Sequence, residues 1–367
     1  MKEFHNKLNE IVKRINFIES RRMKFSKFLR KINKDFEIGP NKEIKEKRII
    51  IQSKVDFPKS ISVLGVDGGI VKHSYHGLDL ILMRAAGVNF IYNQGKLDKV
   101  NYYPSSNPLS TPKMLMEPFF DNELTSCYNF ERQIMEIDST TQAIKKLKPD
   151  MVFLDGSVIP HYVHKPDNHK LKHYYEDMVK TYKELFKTAK DKKVILSGVI
   201  EDSRGVKFCD ILTRRLMSKM GAELASELQT VLEKTKDSNL LFYTLRKGER
   251  TCIFNYSQKP STHPILKEFE DLGDSFFSFY IKTVEFDRPI RVDFLNFNNP
   301  VEIANKLSSV LLKTSGHAGY GLPAVLIEAD QRAKLSEKDI DIFYSDIVRQ
   351  VGNVSSLFKM RREMRPF

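Results

Sequence analysis

Two stretches of the chain decide its fold, and they end in the same way: SVLGVDGG at residues 62–69 and MVFLDGS at residues 151–157. In each stretch a run of apolar residues leads into an aspartate that glycine follows, Asp67 in the first and Asp155 in the second. Short apolar runs of this kind are typical of buried strands. An acid that directly follows such a strand lies at the mouth of a sheet, where α/β proteins bind their ligands.

Two aspartates at matching strand ends predict a metal site. Carboxylates that lie close together repel each other unless a divalent cation bridges them. Cleavage of a phosphodiester by two metal ions requires such an arrangement, with the ions about 3.5–4 Å apart. The alternative is structural, because Asp-Gly is also a common turn sequence. The repetition of the pattern favours the metal site.

Strand and helix patterns alternate around the two aspartates, which predicts an α/β fold with a mixed sheet flanked by helices. The expected elements, in chain order, are strands at 48–52 and 62–69, two strands within 78–93, a strand at 96–104, a loop at 105–118, a helix at 122–147, a strand at 151–157, a helix at 170–191, a strand at 193–200, a helix at 211–233, a hairpin of 239–245 and 250–256, strands at 275–284 and 290–295, a helix at 301–315, and a last helix from Ser336, where Ser-Glu-Lys-Asp resembles a capping box.

The composition changes nowhere sharply, so we expect one main domain at 60–345. Residues 1–59 form a basic helical extension and a connection to that domain, with an amphipathic helix over about 1–35. Residues 346–367 form a basic C-terminal helix or tail.

Composition and charge narrow the class of protein. With 41% hydrophobic and 29% charged residues in 367, the chain is typical of a globular protein. No apolar run approaches the roughly 20 residues of a spanning helix, and the start of the chain lacks the apolar core of a signal peptide, so we expect a cytoplasmic protein that does not associate with membranes. A net charge of +13 favours a polyanionic partner, and DNA is such a partner.

The cysteines bear on the kind of metal. Cys127, Cys209 and Cys252 lie far apart and form no CxxC pair, which argues against disulfides and a thiolate zinc site. The ligands are then oxygen or nitrogen atoms, which favours Mg²⁺ or Mn²⁺.

Further carboxylates are available to such a site. Glu131, Glu136 and Asp138 share the helix that precedes Asp155, and spacing alone does not choose among them. Arg132 and Glu136 are four residues apart and would also form an ordinary ion pair. Asp330 follows the apolar run AVLIEA, where an acid without a function would be difficult to bury.

Several polar side chains are candidates for holding DNA. Lys282 and Arg291 alternate with apolar residues and are expected to project from a sheet toward a DNA backbone, although a solvated sheet face would show the same pattern. His317 lies in a glycine-rich loop. The full set of candidate DNA contacts is Ser157, Arg204, Lys282, Arg291, His317 and Tyr320.

Six motifs occur in the order of the NurA nuclease family, which the chain therefore resembles over about residues 60–340. They are VDGG at 66–69, the R-x-x-x-E of Arg132 and Glu136, LDGS at 154–157, GVIEDSR at 198–204, FYIK with IRVDF at 279–282 and 290–294, and GYGLPAVLIEADQRAKLS at 319–336.

The resemblance implies an RNase H-like fold and a Mn²⁺- or Mg²⁺-dependent DNA nuclease with 5′–3′ exonuclease and single-strand endonuclease activity. It further implies a homodimer that works with a hexameric HerA-type ATPase in DNA end resection and double-strand break repair. Asp67, Glu136 and Asp155 match the metal-binding acids of the family, so the resemblance selects Glu136 on its helix. Asp330 is the fourth acid of the expected site.

The chain departs from the family pattern at three places. The family often has Asp-Gly-Ser where this chain has Asp67-Gly68-Gly69, a lysine where Glu201 stands, and Ala-His where this chain has Ala329-Asp330. An aspartate ligates a hard cation as well.

Two other functions compete with a nuclease. One is an inactive DNA-binding adaptor of a hexameric translocase, which the altered motifs suggest. The other is a sugar kinase with the actin-like fold, suggested by the phosphate-loop character of LGVDGGIVK, although the adenosine loop of that fold is missing.

Overall fold

The computed structural model of the protein describes residues 1–160, 169–216, 229, 231–352 and 354–361. Its strands are β1 (Ile50–Gln52), β2 (Ser60–Ser74), β3 (Asp79–Asn93), β4 (Lys96–Tyr103), β5 (Thr111–Leu115), β6 (Met151–Asp155), β7 (Ile195–Ile200), β8 (Glu249–Thr251), β9 (Phe254–Asn255), β10 (Phe276–Ile281) and β11 (Ile290–Leu295). Its helices are α1 (Lys2–Ile32), α2 (Asp121–Leu147), α3 (Lys172–Lys192), α4 (Lys207–Leu216), α5 (Asp237–Thr244), α6 (Pro300–Thr314), α7 (Ala324–Ala333) and α8 (Glu337–Val351).

The chain divides into two compact units. The first unit consists of Met1–Phe57, Gly198–Gln258 and Asp274–Ala324, and the second of Pro58–Ser197, Lys259–Gly273 and Val325–Phe367. The domain bounds expected from the sequence stay a prediction.

A mixed sheet forms the centre of the second unit. Strands β2 and β3 pair antiparallel over their whole lengths, from Ser60 opposite Asn93 to Ser74 opposite Asp79. On the other side of β2, strand β6 runs parallel to it. Strands β4 and β5 both pair with β3. Helices α2 and α3 bury apolar residues such as Ile137 and Met178. The predicted α/β fold with a mixed sheet flanked by helices is confirmed.

Three strand predictions in this unit were wrong. Residues 79–93 form one strand rather than two, because every residue from 79 to 93 pairs with β2. Strand β2 continues to Ser74 instead of ending at residue 69, because the same pairing extends through its glycines. The expected loop at 105–118 contains β5, which pairs with the first five residues of β3, 79–83, despite its proline.

The first unit is built around a second group of strands. Strand β10 pairs antiparallel with β11, β8 and β9, and β1 pairs with β8. The expected hairpin of 239–245 and 250–256 was wrong, since residues 237–244 form helix α5. An apolar run such as NLLFYTL suits a strand or a buried helix equally. Here Leu240 and Leu241 are buried in a cluster with Phe25 and Leu29 of α1, which makes the helix the better packed choice.

Helix α1 is buried over one part of its length only. The buried residues are Arg22, Phe25, Ser26 and Leu29, whereas residues 1–17 are exposed. The expected amphipathic helix over about 1–35 therefore exists, and its second half packs within the first unit.

The end of the chain was partly predicted. Helix α8 begins after Ser336, whose backbone N–H donates to the carboxylate of Asp339 at 2.7 Å, so the predicted capping box is confirmed. Most of the expected helix at 211–233, namely 217–228 and 230, and the last residues of the expected tail, 362–367, lie outside the described residues. Within the described residues, no helix is long and apolar enough to cross a membrane.

Candidate active site

Strands β2 and β6 bring Asp67 and Asp155 side by side. The parallel pairing runs from Val63 opposite Met151 to Val66 opposite Leu154, so the next residue of each strand is the aspartate. Asp155 is exposed where β6 ends, and Asp67 is 8% exposed in the middle of β2. Because β2 and β6 are parallel and in register, the two aspartates are neighbours. Only β6 ends at its aspartate, whereas β2 continues to Ser74.

Glycine at position 68 lets α2 approach the strand closely. A Cβ atom on Gly68 would lie 3.0 Å from Glu136 Oε2 and 3.1 Å from Glu136 Cβ. Side chains alternate between the faces of a strand, so α2 covers the face opposite to that of Asp67. Glu136 is 5% exposed and lies within electrostatic reach of both Asp67 and Asp155.

Two further glycines of β2 seat helix α7 on the face that carries Asp67. A Cβ atom on Gly65 would lie 2.7 Å from the backbone oxygen of Val325, and one on Gly69 would lie 2.1 Å from that of Ala333. Because glycine has no side chain, both ends of α7 pack directly on the backbone of β2. Asp330 lies between them on the helix, exposed, and its carboxyl interacts with that of Asp67.

One arginine joins the strand to the helix that carries Glu136. Arg132 Nη1 donates to Glu136 Oε2 at 2.9 Å and to the backbone oxygen of Gly68 at 3.3 Å. The ion pair expected from the spacing of four residues is therefore present, and it also contacts β2. Asp67 Oδ1 accepts a hydrogen bond from the backbone N–H of Gly68 at 2.7 Å.

Burial raises the pKa values of two of these acids, Glu136 and Asp67. Burial raises the pKa of Glu136 to about 8, with Arg132 opposing the shift and Asp67 and Asp155 adding to it. Burial also raises the pKa of Asp67, against the hydrogen bond from Gly68, and Asp330 adds to this shift. Without a metal, these two carboxyl groups are therefore protonated more easily than ordinary carboxyl groups.

The donor set suits a hard divalent cation. Carboxylate oxygens are the ligands that Mn²⁺, Mg²⁺ and Ca²⁺ prefer, and a divalent charge would offset the repulsion among four acids. In the part of the chain that the structure describes, no three His, Cys, Asp or Glu side chains are arranged as a complete metal-binding site. The observation that supports the fit is that the buried carboxyl groups of Asp67 and Glu136 lie within electrostatic reach of each other, with Asp155 close to Glu136 and Asp330 close to Asp67.

The raised pKa of Glu136 predicts how the stability of the metal-free protein depends on pH. In EDTA the folded protein keeps a proton on Glu136 up to about pH 8, whereas the unfolded chain loses it near the ordinary glutamate pKa of about 4.3. The folded state thus binds more protons between these values, and the free energy of unfolding decreases as pH rises from about 5 to 8. The full decrease is on the order of 5 kcal/mol.

Urea unfolding at a series of pH values measures this slope. Glu136→Gln, which stays uncharged, should flatten it, and Asp138→Asn, a change at an exposed residue of the same helix, should keep it. Saturating Mn²⁺ should restore stability at pH 8 by binding the deprotonated acids. An equal slope in Glu136→Gln would show that the buried glutamate does not carry the effect.

The candidate DNA contacts fall into two groups by exposure. Arg204, His317 and Tyr320 are exposed, and Ser157 is half-buried directly after Asp155. Ser157 Oγ accepts a hydrogen bond from the backbone N–H of Ile159 at 3.2 Å. Of this group, Ser157 belongs to the same unit as the four acids, and the other three belong to the first unit.

Lys282 and Arg291 do not project into solvent as expected. Lys282 is 6% exposed and its ammonium lies 4.8 Å from the ring centre of Phe242. Arg291 Nε donates to Asp293 Oδ1 at 2.7 Å, and both side chains are largely buried. The alternation of charged and apolar residues here reflects a buried ion pair and a cation over a ring. A contact of either residue with DNA stays a prediction.

Sequence reasoning missed two features. Gly65 and Gly69 carry no signal of their own, because their role depends on a helix more than 250 positions away. The second feature is a buried network in which the Asp237 carboxylate accepts from the N–H groups of Phe208 and Cys209 at 2.9 and 2.8 Å and from the Tyr280 hydroxyl at 2.9 Å. Asp237 precedes an apolar run that was expected to be a strand, and nothing in the sequence around it indicates that its carboxylate is buried.

The chain matches known proteins in family and in fold. The NurA domain family matches residues 61–335, which is most of the chain. No curated protein matches. The structure is similar to that of the NurA nuclease from Sulfolobus solfataricus, with a TM-score of 0.56, 14% identity and coverage of 96% of this chain and 97% of that one.

Two other solved structures are similar to the same extent. A NurA bound to dAMP and manganese has a TM-score of 0.54, 11% identity and coverage of 97% and 99%. A NurA with manganese has a TM-score of 0.52, 9% identity and coverage of 94% and 99%. At these identities the likeness shows a shared fold.

Proposed function

This chain belongs to the NurA family, and from that premise we propose that it is a DNA nuclease that uses a divalent metal such as Mn²⁺ or Mg²⁺. The observation that carries the proposal is the parallel pairing of β2 with β6, which makes Asp67 and Asp155 neighbours, with Glu136 within electrostatic reach of both and Asp330 within reach of Asp67. Proteins of this fold have been solved with manganese, and one of them with dAMP as well.

The four acids would hold the metal in this function. When bound, a divalent cation activates a water for in-line attack on the phosphodiester and stabilises the leaving oxygen. Other contacts of the protein hold these acids in position. Arg132 holds the Glu136 carboxylate against β2, and Asp67 is kept in place by the paired strand around it. The chemistry needs no protein nucleophile.

The activities implied by the resemblance belong to the same proposal. We propose 5′–3′ exonuclease and single-strand endonuclease activity in DNA end resection and repair, a homodimeric assembly, and a HerA-type hexameric ATPase as partner. The net charge of +13 supports binding to a polyanion.

End-labelled single-stranded and double-stranded DNA tests the proposal directly. We expect degradation in Mn²⁺ or Mg²⁺ and none in EDTA, with the label position showing the polarity. If the wild-type chain binds DNA but cuts neither substrate in either metal, with the ATPase supplied, the catalytic proposal fails. The protein would then be the inactive DNA-binding adaptor.

A further inference from the structure

Two loops of the first unit are fixed to each other, residues 282–289 after β10 and residues 315–322 after α6. The backbone N–H of Phe286 donates to the oxygen of Ala318 at 3.3 Å, and that of Gly321 donates to Asp287 Oδ2 at 2.7 Å. Thr283 Oγ1 donates to the oxygen of Gly321 at 2.7 Å. We call these segments the paired loops.

The paired loops present aromatic rings to solvent. Phe286 is 79% exposed and Tyr320 is 38% exposed. The hydrogen bonds between the loops place the two residues near each other, because position 286 bonds to 318 and position 287 bonds to 321. Since both loops are held by these bonds, the exposure of the rings is a property of the fold.

The surroundings of Phe286 indicate what kind of molecule would cover it. Arg288 is exposed and forms an ion pair with Asp202 at 2.7 Å. Arg204, two residues after Asp202 in the sequence, is also exposed. Glu285, beside the ring in sequence, is exposed as well. A protein partner requires a larger continuous apolar patch than these charged neighbours leave. Exposed aromatic rings that the fold holds in place suit the stacking of an unpaired base.

We propose that the paired loops are a stacking platform for unpaired bases of single-stranded DNA, with Phe286 as its main stacking residue. The inference rests on the proposed function, because it concerns how the nuclease holds its substrate. Every base has a π face, so such a platform binds without regard to sequence. In a duplex those faces are already stacked, and the platform should therefore favour single strands.

A tryptophan reporter tests the stacking directly. The chain contains no tryptophan, so Phe286→Trp introduces a single fluorophore at the platform. Phe120→Trp places a matched reporter at a residue of the second unit that is 72% exposed. Both variants are titrated in EDTA, where no cleavage is expected, with dT20 and with a 20-base-pair duplex.

The expected result is that dT20 quenches the emission of the Phe286→Trp variant, that the duplex quenches it much less, and that the Phe120→Trp variant changes little with either. In parallel, Phe286→Ala should weaken dT20 binding about ten-fold by fluorescence anisotropy. Phe286→Trp should retain wild-type affinity, and Phe120→Ala should leave affinity unchanged. Thermal melting checks that each variant is folded.

Two results would overturn the platform. One is wild-type affinity for dT20 in Phe286→Ala, and the other is equal quenching at positions 286 and 120. If Phe286→Ala instead disrupted self-association while DNA affinity stayed unchanged, the surface would bind protein and the inference would be wrong. Failure of the proposed function looks different, because there the wild-type chain itself would bind or cut no DNA.

Discussion

Asp67→Asn abolishes metal-dependent DNA cleavage, with an expected loss of about a thousand-fold in rate, the equivalent of about 4 kcal/mol in transition-state stabilisation. Asparagine has the shape of aspartate but no charge, so the change removes a metal ligand at little cost in packing. Because Asp67 is buried among other acids, the variant should be at least as stable as the wild-type chain without metal. Initial rates on end-labelled DNA in Mn²⁺ measure the loss.

Two comparisons make this test specific. Asp155→Asn should cause a loss of similar size, and the double variant should lose little more than either single one, because the ligands act as a unit. Asp98→Asn, a change at an exposed residue of β4, should keep wild-type rates. Retained cleavage in both Asp67→Asn and Asp155→Asn would mean that the metal is held elsewhere.

Gly69→Ala destabilises the protein by about 3 kcal/mol, at the upper end of the usual cost of adding a methyl group where no space exists. The added Cβ would lie 2.1 Å from the backbone oxygen of Ala333. Backbone cannot rotate away as a flexible side chain can, so α7 must move as a whole. Since Asp330 lies on α7, we expect cleavage to decrease together with stability.

Urea unfolding of Gly69→Ala measures this effect. The matched control is Gly316→Ala, because a Cβ atom at Gly316 would meet nothing within 4 Å, and its stability should stay within about 0.5 kcal/mol of the wild-type value. If Gly69→Ala unfolds at the same urea concentration as the control, α7 is not seated on β2 as described.

The parts of the site that depend on local spacing could be predicted from the sequence. Asp67 and Asp155 each follow an apolar run, and parallel strands in register then place them together. The four-residue spacing of Arg132 and Glu136 predicted their contact, and Ser336 with Asp339 predicted the start of α8.

The parts that depend on distant partners could not be predicted. The glycines after Asp67 looked like the end of a strand, whereas here the pairing with β3 carries the strand through them. Residues 239–245 could have formed a strand or a helix, and only the packing of α1 decides between the two. The burial of Arg291 depends on Asp293 and on the strand beside it, which periodicity alone does not show.

The position of Asp67 within β2, instead of at its end, has an entropic consequence. The backbone of residue 67 is already ordered when the protein folds, because it pairs with Ala86 in the middle of the longest strand pair of the sheet. A ligand carried on a flexible loop would lose about 1–2 kcal/mol of backbone conformational entropy per residue each time a metal bound. At Asp67 the backbone entropy is already lost when the protein folds. Metal binding then has to restrict only the rotation of a short side chain.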